Sequence, residues 1–308
     1  MPEATFILNA VPPFRLDLTA WAIRRRPENR MDLWDGTTYK RVLTLRGKAV
    51  KISATQTAGL TSSRLRVNIR GIDLDSSTKA QITSALNRLL GRRIDLRPFY
   101  CFAKQDSRLF DLTQRFYGLK PSRFPTVFET LVNGIACQQL SLAVGITLLN
   151  RLAEARGLPF RGPDETQYSF PTPEQLASAK APELQKLGFS SNKSRALIEL
   201  GSALAAGRLD LERLASADDQ DAIARLLDIR GVGRWTAEYV LLRGLGRTNI
   251  FPGDDVGARN NLARWLKLRK PLDYRGVARI SRRWRAYGGL IYFHLLLDRL
   301  AEAGCLKQ

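Results

Sequence analysis

The chain is 308 residues long and 44% hydrophobic, enough to bury a sizeable core and, by length, to form about two compact units. Lys and Arg number 49 against 29 acids, a formal charge of +20 that attracts any polyanion; nucleic acid is the commonest such partner, although a basic surface that only aids solubility would carry the same charge. Three scattered cysteines (Cys101, Cys137, Cys305) and one histidine (His294) exclude a disulfide framework, an iron–sulfur cluster and a histidine metal site, and no run of about 18 apolar residues offers a membrane span.

The opening stretch MPEATFILNAVPPFRLDL has neither a basic start nor a long apolar run, so no export is expected and the protein is placed in the cytoplasm with the nucleoid, or in a nucleus. Stretches Tyr39–Gly47, Ala49–Gln56 and Arg64–Gly71 alternate as strands do, separated by Gly and Ser turns. Asp73–Gly91 follows as a capped helix with Ile82, Leu86, Leu89 and Leu90 on one face and Gly91 as its stop. These elements predict an α+β N-terminal domain over residues 1–103, closed by the interruption around Pro98. Residues 104–308 are expected to be almost wholly helical: a long apolar stretch over Phe124–Gly157, a Pro/Gly-rich loop over Arg161–Gln175, then short helices punctuated by glycine. No repeat of fixed period and no low-complexity tail is present.

The sharpest local signal is Asp228–Gly244, where Gly231-Val232-Gly233 joins one helix to another expected over Arg234–Arg243. Two glycines permit a tight left-handed turn whose N–H groups, with the N-terminus of the next helix, can face a phosphate. The same pattern also makes plain helix–helix connections. About twenty residues on, Asn249–Trp265 opens a helix with paired acids, Asp254 and Asp255. Either acid alone is explained as a helix cap, and two together exceed what a cap requires.

The glycine hairpin and the downstream Pro-x-Asp-Asp together resemble the helix–hairpin–helix DNA glycosylase superfamily. Ser107–Phe116, Phe124–Ser141, Phe170–Ala177, Gly231–Gly244, Phe251–Arg259 and Arg282–Leu296 narrow the resemblance to the DNA-3-methyladenine glycosylase II family. It implies a mainly α helix–hairpin–helix glycosylase fold of two helical subdomains, about 122–250 and 104–121 plus 251–308, after the α+β domain. It further implies a monofunctional enzyme of base excision repair that flips an alkylated base out of double-stranded DNA and hydrolyses its N-glycosidic bond, acting as a monomer.

Residue by residue, the resemblance puts the catalytic carboxylate on Asp255 and leaves Asp254 as neighbour or cap. It puts Tyr239, Trp235 and Phe293 on the wall of the substrate pocket, with Trp21 as a replacement for an aromatic whose position here is Ala22. Gly231, Gly233 and Arg234 become phosphate contacts. Gln139 stands at the wedge position that fills the gap left by the flipped base, with Leu140 beside it. Where bifunctional relatives carry a lysine this chain has Trp235, so no amine stands there to attack the sugar. No cofactor or metal is implied beyond a monovalent cation on the carbonyls of residues 226–233. Two competing readings remain: a non-catalytic helix–hairpin–helix DNA-binding protein, which would have no need of Asp255 or Tyr239, and a glycosylase for oxidised or mismatched bases.

Overall fold

Alternation of buried and open side chains builds the first layer, as in the strand Arg64–Arg70, where Leu65, Val67 and Ile69 are buried and Arg64 and Arg66 are exposed. In the computed structural model, which describes residues 1–60, 63–162, 165–284 and 286–306, the strands are β1 (Glu3–Asn9), β2 (Leu33–Trp34), β3 (Thr38–Leu45), β4 (Lys48–Gln56) and β5 (Arg64–Arg70). They form an antiparallel sheet in the order β1-β5-β4-β3-β2. Helix α1 (Leu16–Arg24) enters between β1 and β2, and α2 (Ser76–Leu90) follows β5. The cap of α2 is Asp75, whose carboxylate accepts from the Thr78 N–H, and Gly91 ends it at φ 54°.

Pro98, read from the sequence as an interruption at the end of the N-terminal domain, opens a helix. It lies in the first turn of α3 (Arg97–Ala103), where its missing N–H costs nothing. Helices α4 (Ser107–Arg115), α5 (Val127–Cys137) and α6 (Leu142–Arg156) come next. A short hairpin, β6 (Pro159–Arg161) with β7 (Thr166–Tyr168), occupies the loop that composition alone left without structure. Then come α7 (Pro173–Ala177), α8 (Ala181–Lys186), α9 (Ser191–Ala205), α10 (Asp219–Leu227), α11 (Arg234–Val240), α12 (Val256–Trp265), α13 (Tyr274–Ser281) and α14 (Gly288–Glu302). The helix expected over Arg234–Arg243 is α-helical only to Val240 and widens into a π turn over Leu241–Leu245, ending at Gly246 with φ 82°. Among the described residues no helix is long and apolar enough to cross a membrane.

Three apolar clusters result. One lies among α5, α6 and α9 to α11; a second joins α3, α4 and α14 with Leu18 and Ala22 of α1; the third lies between the sheet, α1 and α2. Consecutive residues of α11 and its π turn reach all three: Tyr239 the sheet cluster, Val240 and Leu241 the first, Leu242 the second. The helix after the glycine hairpin is therefore the place where the layers are keyed together.

His294 in α14 is wholly buried against Phe99 and Phe116. Its Nδ1–H donates to the Leu290 carbonyl, among the described residues Nε2 has no partner, and burial pushes its pKa down to about 4. A histidine held neutral stabilises the fold above its ordinary pKa, and that contribution is lost as pH falls towards 4. We expect the stability difference between the protein and a His294→Leu variant to shrink by on the order of 3 kcal/mol between pH 6.5 and 4, measured by urea unfolding. A pH-independent difference would show that the imidazole takes up its proton as readily in the folded protein as in the unfolded chain.

Candidate active site

The hairpin is built as its glycines require. Gly231 has φ 81°, and a Cβ there would stand 2.8 Å from the Cβ of Ala196. Gly233 is the N-cap of α11 with no side-chain cap, and among the described residues nothing lies within 4 Å of where its Cβ would be, so a ligand can approach the turn from that side. Helix α5 fixes the turn from behind: Gln138 Nε2 donates to the Gly231 carbonyl and to Thr236 Oγ1, both at 2.7 Å. Lys193 Nζ in turn donates to the carbonyls of Ala136 and Gln138 at the end of α5. Beyond this clamp Gln139 is left-handed (φ 55°) and Leu140 is 42% exposed. A large apolar side chain is thus held out in solvent at the tip of a rigid turn beside the hairpin.

Asp255 lies at the start of α12 and uses both carboxylate oxygens. Oδ1 accepts from the Ala258 N–H at 2.8 Å, and Oδ2 accepts from Trp235 Nε1 at 3.2 Å. The helix cap, which sequence reasoning assigned as readily to Asp254, is Asp255 itself. Capping and carboxylate chemistry are not alternatives here, because the cap bond fixes one oxygen and turns the other towards the Trp235 indole.

The loop carrying Asp255 is tied to α11 by Glu238, which accepts from the Gly253 N–H and from Tyr274 Oη, each at 2.8 Å. Burial pushes the Glu238 carboxyl up. Sequence reasoning missed this residue, although a lone acid between buried Ala237 and Tyr239 was the available signal. If Asp255 acts as the sequence resemblance implies, Glu238→Ala is expected to slow base release about 10²-fold with little change in DNA affinity, because a displacement of about 1 Å at a reacting group has that effect. An unchanged single-turnover rate would show that the loop holds itself.

Trp235 and Tyr239 stack with centroids 5.5 Å apart and planes 26° from parallel. Behind Tyr239 stands Arg25, whose Nη1 donates to Tyr239 Oη at 2.9 Å. Phe293 is wholly buried, edge-on to Tyr292 and covered by the Arg243 guanidinium at 4.9 Å. Its neighbour Tyr292, one position back and about 100° round the helix, is half-buried and interacts electrostatically with Asp255, Tyr239, Arg243 and Arg25. Phe293, which the sequence assigned to the pocket wall, is packed in the second apolar cluster, and Tyr292 beside it lies within electrostatic reach of Asp255. Trp21 is half-buried on α1 beneath Arg24, and among the described residues it makes no ring contact with Trp235 or Tyr239; Ala22 is buried. Arg234 rests its guanidinium over the Tyr274 ring at 4.8 Å, beside the open N-terminus of α11. Among the described residues no group of three or more His, Cys, Asp or Glu side chains could hold a metal ion.

A glycine hairpin leading into a helix without a side-chain cap, with a carboxylate fixed beside a stacked Trp–Tyr pair, is the arrangement of a helix–hairpin–helix module. The chain belongs to the HhH-GPD superfamily of base excision DNA repair proteins, whose family model matches residues 132–286, and within it to the DNA-3-methyladenine glycosylase family. It is 32% identical over 201 residues to a DNA-3-methyladenine glycosylase of Bacillus subtilis, covering 65% of this chain and 66% of that one. It is 32% identical over 211 residues to DNA-3-methyladenine glycosylase 2 of Escherichia coli, covering 63% and 70%. The chain thus matches about two thirds of the length of these relatives. A solved 3-methyladenine DNA glycosylase from Archaeoglobus fulgidus superimposes with a TM-score of 0.82 at 25% identity, covering 96% of this chain and 99% of that one.

Proposed function

We propose that the protein is a monofunctional DNA glycosylase of base excision repair that removes alkylated bases from double-stranded DNA by hydrolysis. The observation that carries the reading is the Asp255 carboxylate, held by the α12 cap and the Trp235 indole beside the stacked Trp235–Tyr239 pair. As the base leaves, positive charge builds on the sugar, and a preorganised carboxylate stabilises it and orients the attacking water. An electron-poor alkylated base stacks on the indole and phenol rings. The open amides of Gly233 and Trp235, with Gly231 and Arg234, take a backbone phosphate, and the net charge of +20 supplies the attraction. Leu140, or Gln139 beside it, fills the gap in the base stack.

The protein acts as a monomer, in the cytoplasm with the nucleoid or in a nucleus. No cofactor takes part in bond cleavage. The carbonyls of Ile229 and Gly231 already accept from the Val232 N–H and from Gln138, and each keeps a second lone pair, so the turn can hold a monovalent cation that adds positive charge towards the phosphate.

The test is incubation with methylated duplex DNA, with and without borohydride. The reading expects free 3-methyladenine and intact abasic strands, with no covalent adduct. An adduct would put an amine in the reaction, oxidised or mismatched bases released in place of methylated ones would change the lesion class, and DNA binding without any free base would make this a binding protein.

A further inference from the structure

Tyr274 stands where the glycine hairpin, the loop carrying Asp255 and α13 come together. Asp273 caps α13 by accepting from the Gly276 N–H at 2.6 Å, which makes Tyr274 the first residue of that helix. From there its side chain touches three neighbours. The hydroxyl donates to Glu238 Oε1 at 2.8 Å, while the other oxygen of that carboxylate accepts from the Gly253 N–H, also at 2.8 Å. The ring lies so close against Gly253 that a Cβ there would stand 2.8 Å from Cδ2 and 2.9 Å from Cε2. Its face carries the guanidinium of Arg234, the first residue of α11, at 4.8 Å. Two residues after Gly253, the Asp255 N–H donates back to the Pro252 carbonyl at 3.2 Å, so the loop is a single tight turn that moves with Gly253.

The charges around Glu238 suit this arrangement. Burial pushes its carboxyl up, the bonds from Tyr274 and Gly253 oppose that shift, Asp254 adds to it from the loop, and Arg234 opposes it from the hairpin. Burial and the bond to Glu238 push the Tyr274 hydroxyl up to about 12, so it stays a donor at any pH near neutrality. Arg234 is exposed, and among the described residues no hydrogen bond or ion pair engages its guanidinium. A guanidinium resting on a ring keeps its N–H groups free for a phosphate.

We propose that Tyr274 is a positioning residue that joins the hairpin to the Asp255 loop: a DNA phosphate held by Arg234 is linked through the Tyr274 ring and hydroxyl, Glu238 and Gly253 to the carboxylate, so that seating the backbone steadies Asp255 at the sugar. The inference rests on the roles given above to Arg234 and Asp255.

The test measures single-turnover release of 3-methyladenine from methylated duplex DNA at saturating enzyme, beside affinity for duplexes carrying neutral tetrahydrofuran or cationic pyrrolidine in place of the abasic sugar. Tyr274→Phe keeps the ring under Arg234 and loses the bond to Glu238; it should slow release about tenfold and leave affinity for the neutral site within about twofold of wild type. Tyr274→Leu loses both contacts, and should be slower still and lose most of the preference for the cationic site. Arg234→Met should weaken binding to the neutral site and also slow release at saturation; in the Tyr274→Leu background it should weaken binding alone, because the rate loss is the same one. Tyr274→Phe, smaller by one oxygen, carries the same comparisons if Tyr274→Leu unfolds. Wild-type rate and wild-type cationic preference in the Tyr274 variants would overturn the proposal. So would rate losses from Arg234→Met and the Tyr274 variants that simply multiply, which would leave hairpin and loop unconnected. If the wild-type protein releases no methylated base the glycosylase reading falls, and the cationic preference then decides the proposal by itself.

Discussion

Asp255→Asn is expected to slow base release by about 10²–10³-fold at saturating enzyme, the loss that follows removal of one preorganised electrostatic group from a transition state. The substitution isolates charge from structure. Asn caps a helix about as well as Asp, so its side-chain oxygen keeps the bond from the Ala258 N–H and α12 is preserved. What is lost is the negative charge beside the sugar and the second oxygen on which Trp235 Nε1 rests. Binding to DNA depends on the hairpin and the basic surface, so affinity for an abasic-site analogue that carries no charge should change little. A variant that releases base at the wild-type rate would remove Asp255 from the chemistry and return it to being a cap.

Arg41→Met is expected to destabilise the fold by about 3–5 kcal/mol, the range for breaking a buried ion pair from one side. Arg41 on β3 reaches Asp32 at 2.6 Å and Glu129 on α5, with all three side chains almost completely out of solvent. Tyr39 Oη adds a bond to Asp32 at 2.6 Å. The network ties the sheet to the helix that positions Gln138 and Asn133, so its loss is felt at both the hairpin and the pocket. Burial pushes the Glu129 carboxyl up, and Arg41 opposes that shift. Without Arg41 the deficit should therefore appear as pH rises through the raised Glu129 pKa and shrink in acid, where the carboxyl is protonated. Replacing Asp32, Arg41 and Glu129 together by Leu, Met and Leu should recover much of the loss, because no buried charge is then left unpaired. Urea midpoints for the single and triple variants decide the matter; a single variant as stable as the parent would mean that water reaches the carboxylates.

The parts of this molecule that follow from local pattern were legible in the sequence. Strands β3 to β5 alternate along the chain, α2 carries an apolar stripe and a glycine stop, and the glycine hairpin declares itself by residue type. Elements whose role depends on what lies opposite were not. Pro98 looked like a break because its neighbours are polar, yet at the first turn of α3 its ring suits the helix. Arg25 stands inside an Arg-Arg-Arg run that resembles any solvated basic patch, and only the arrival of α5 and α11 makes the middle one a buried donor. Tyr292 and Phe293 differ by one position, and the α14 rotation that sets one edge-on to Phe251 and the other under Arg243 comes from packing in the second cluster. The two bonds of Asp255 were hidden for a similar reason: a cap and a free carboxylate are distinguishable in a sequence only as alternatives, whereas one oxygen of this side chain caps α12 and the other accepts from the Trp235 indole.

Stabilisation of positive charge on the sugar by Asp255 is the core of the proposed function. It is tested most directly by the affinity for duplex DNA carrying a cationic pyrrolidine in place of the abasic sugar, compared with the neutral tetrahydrofuran analogue. The wild-type protein should prefer the cationic site by about 10²-fold or more, and Asp255→Asn should lose most of that preference while binding the neutral site as before. Equal preference in the two proteins would contradict the account.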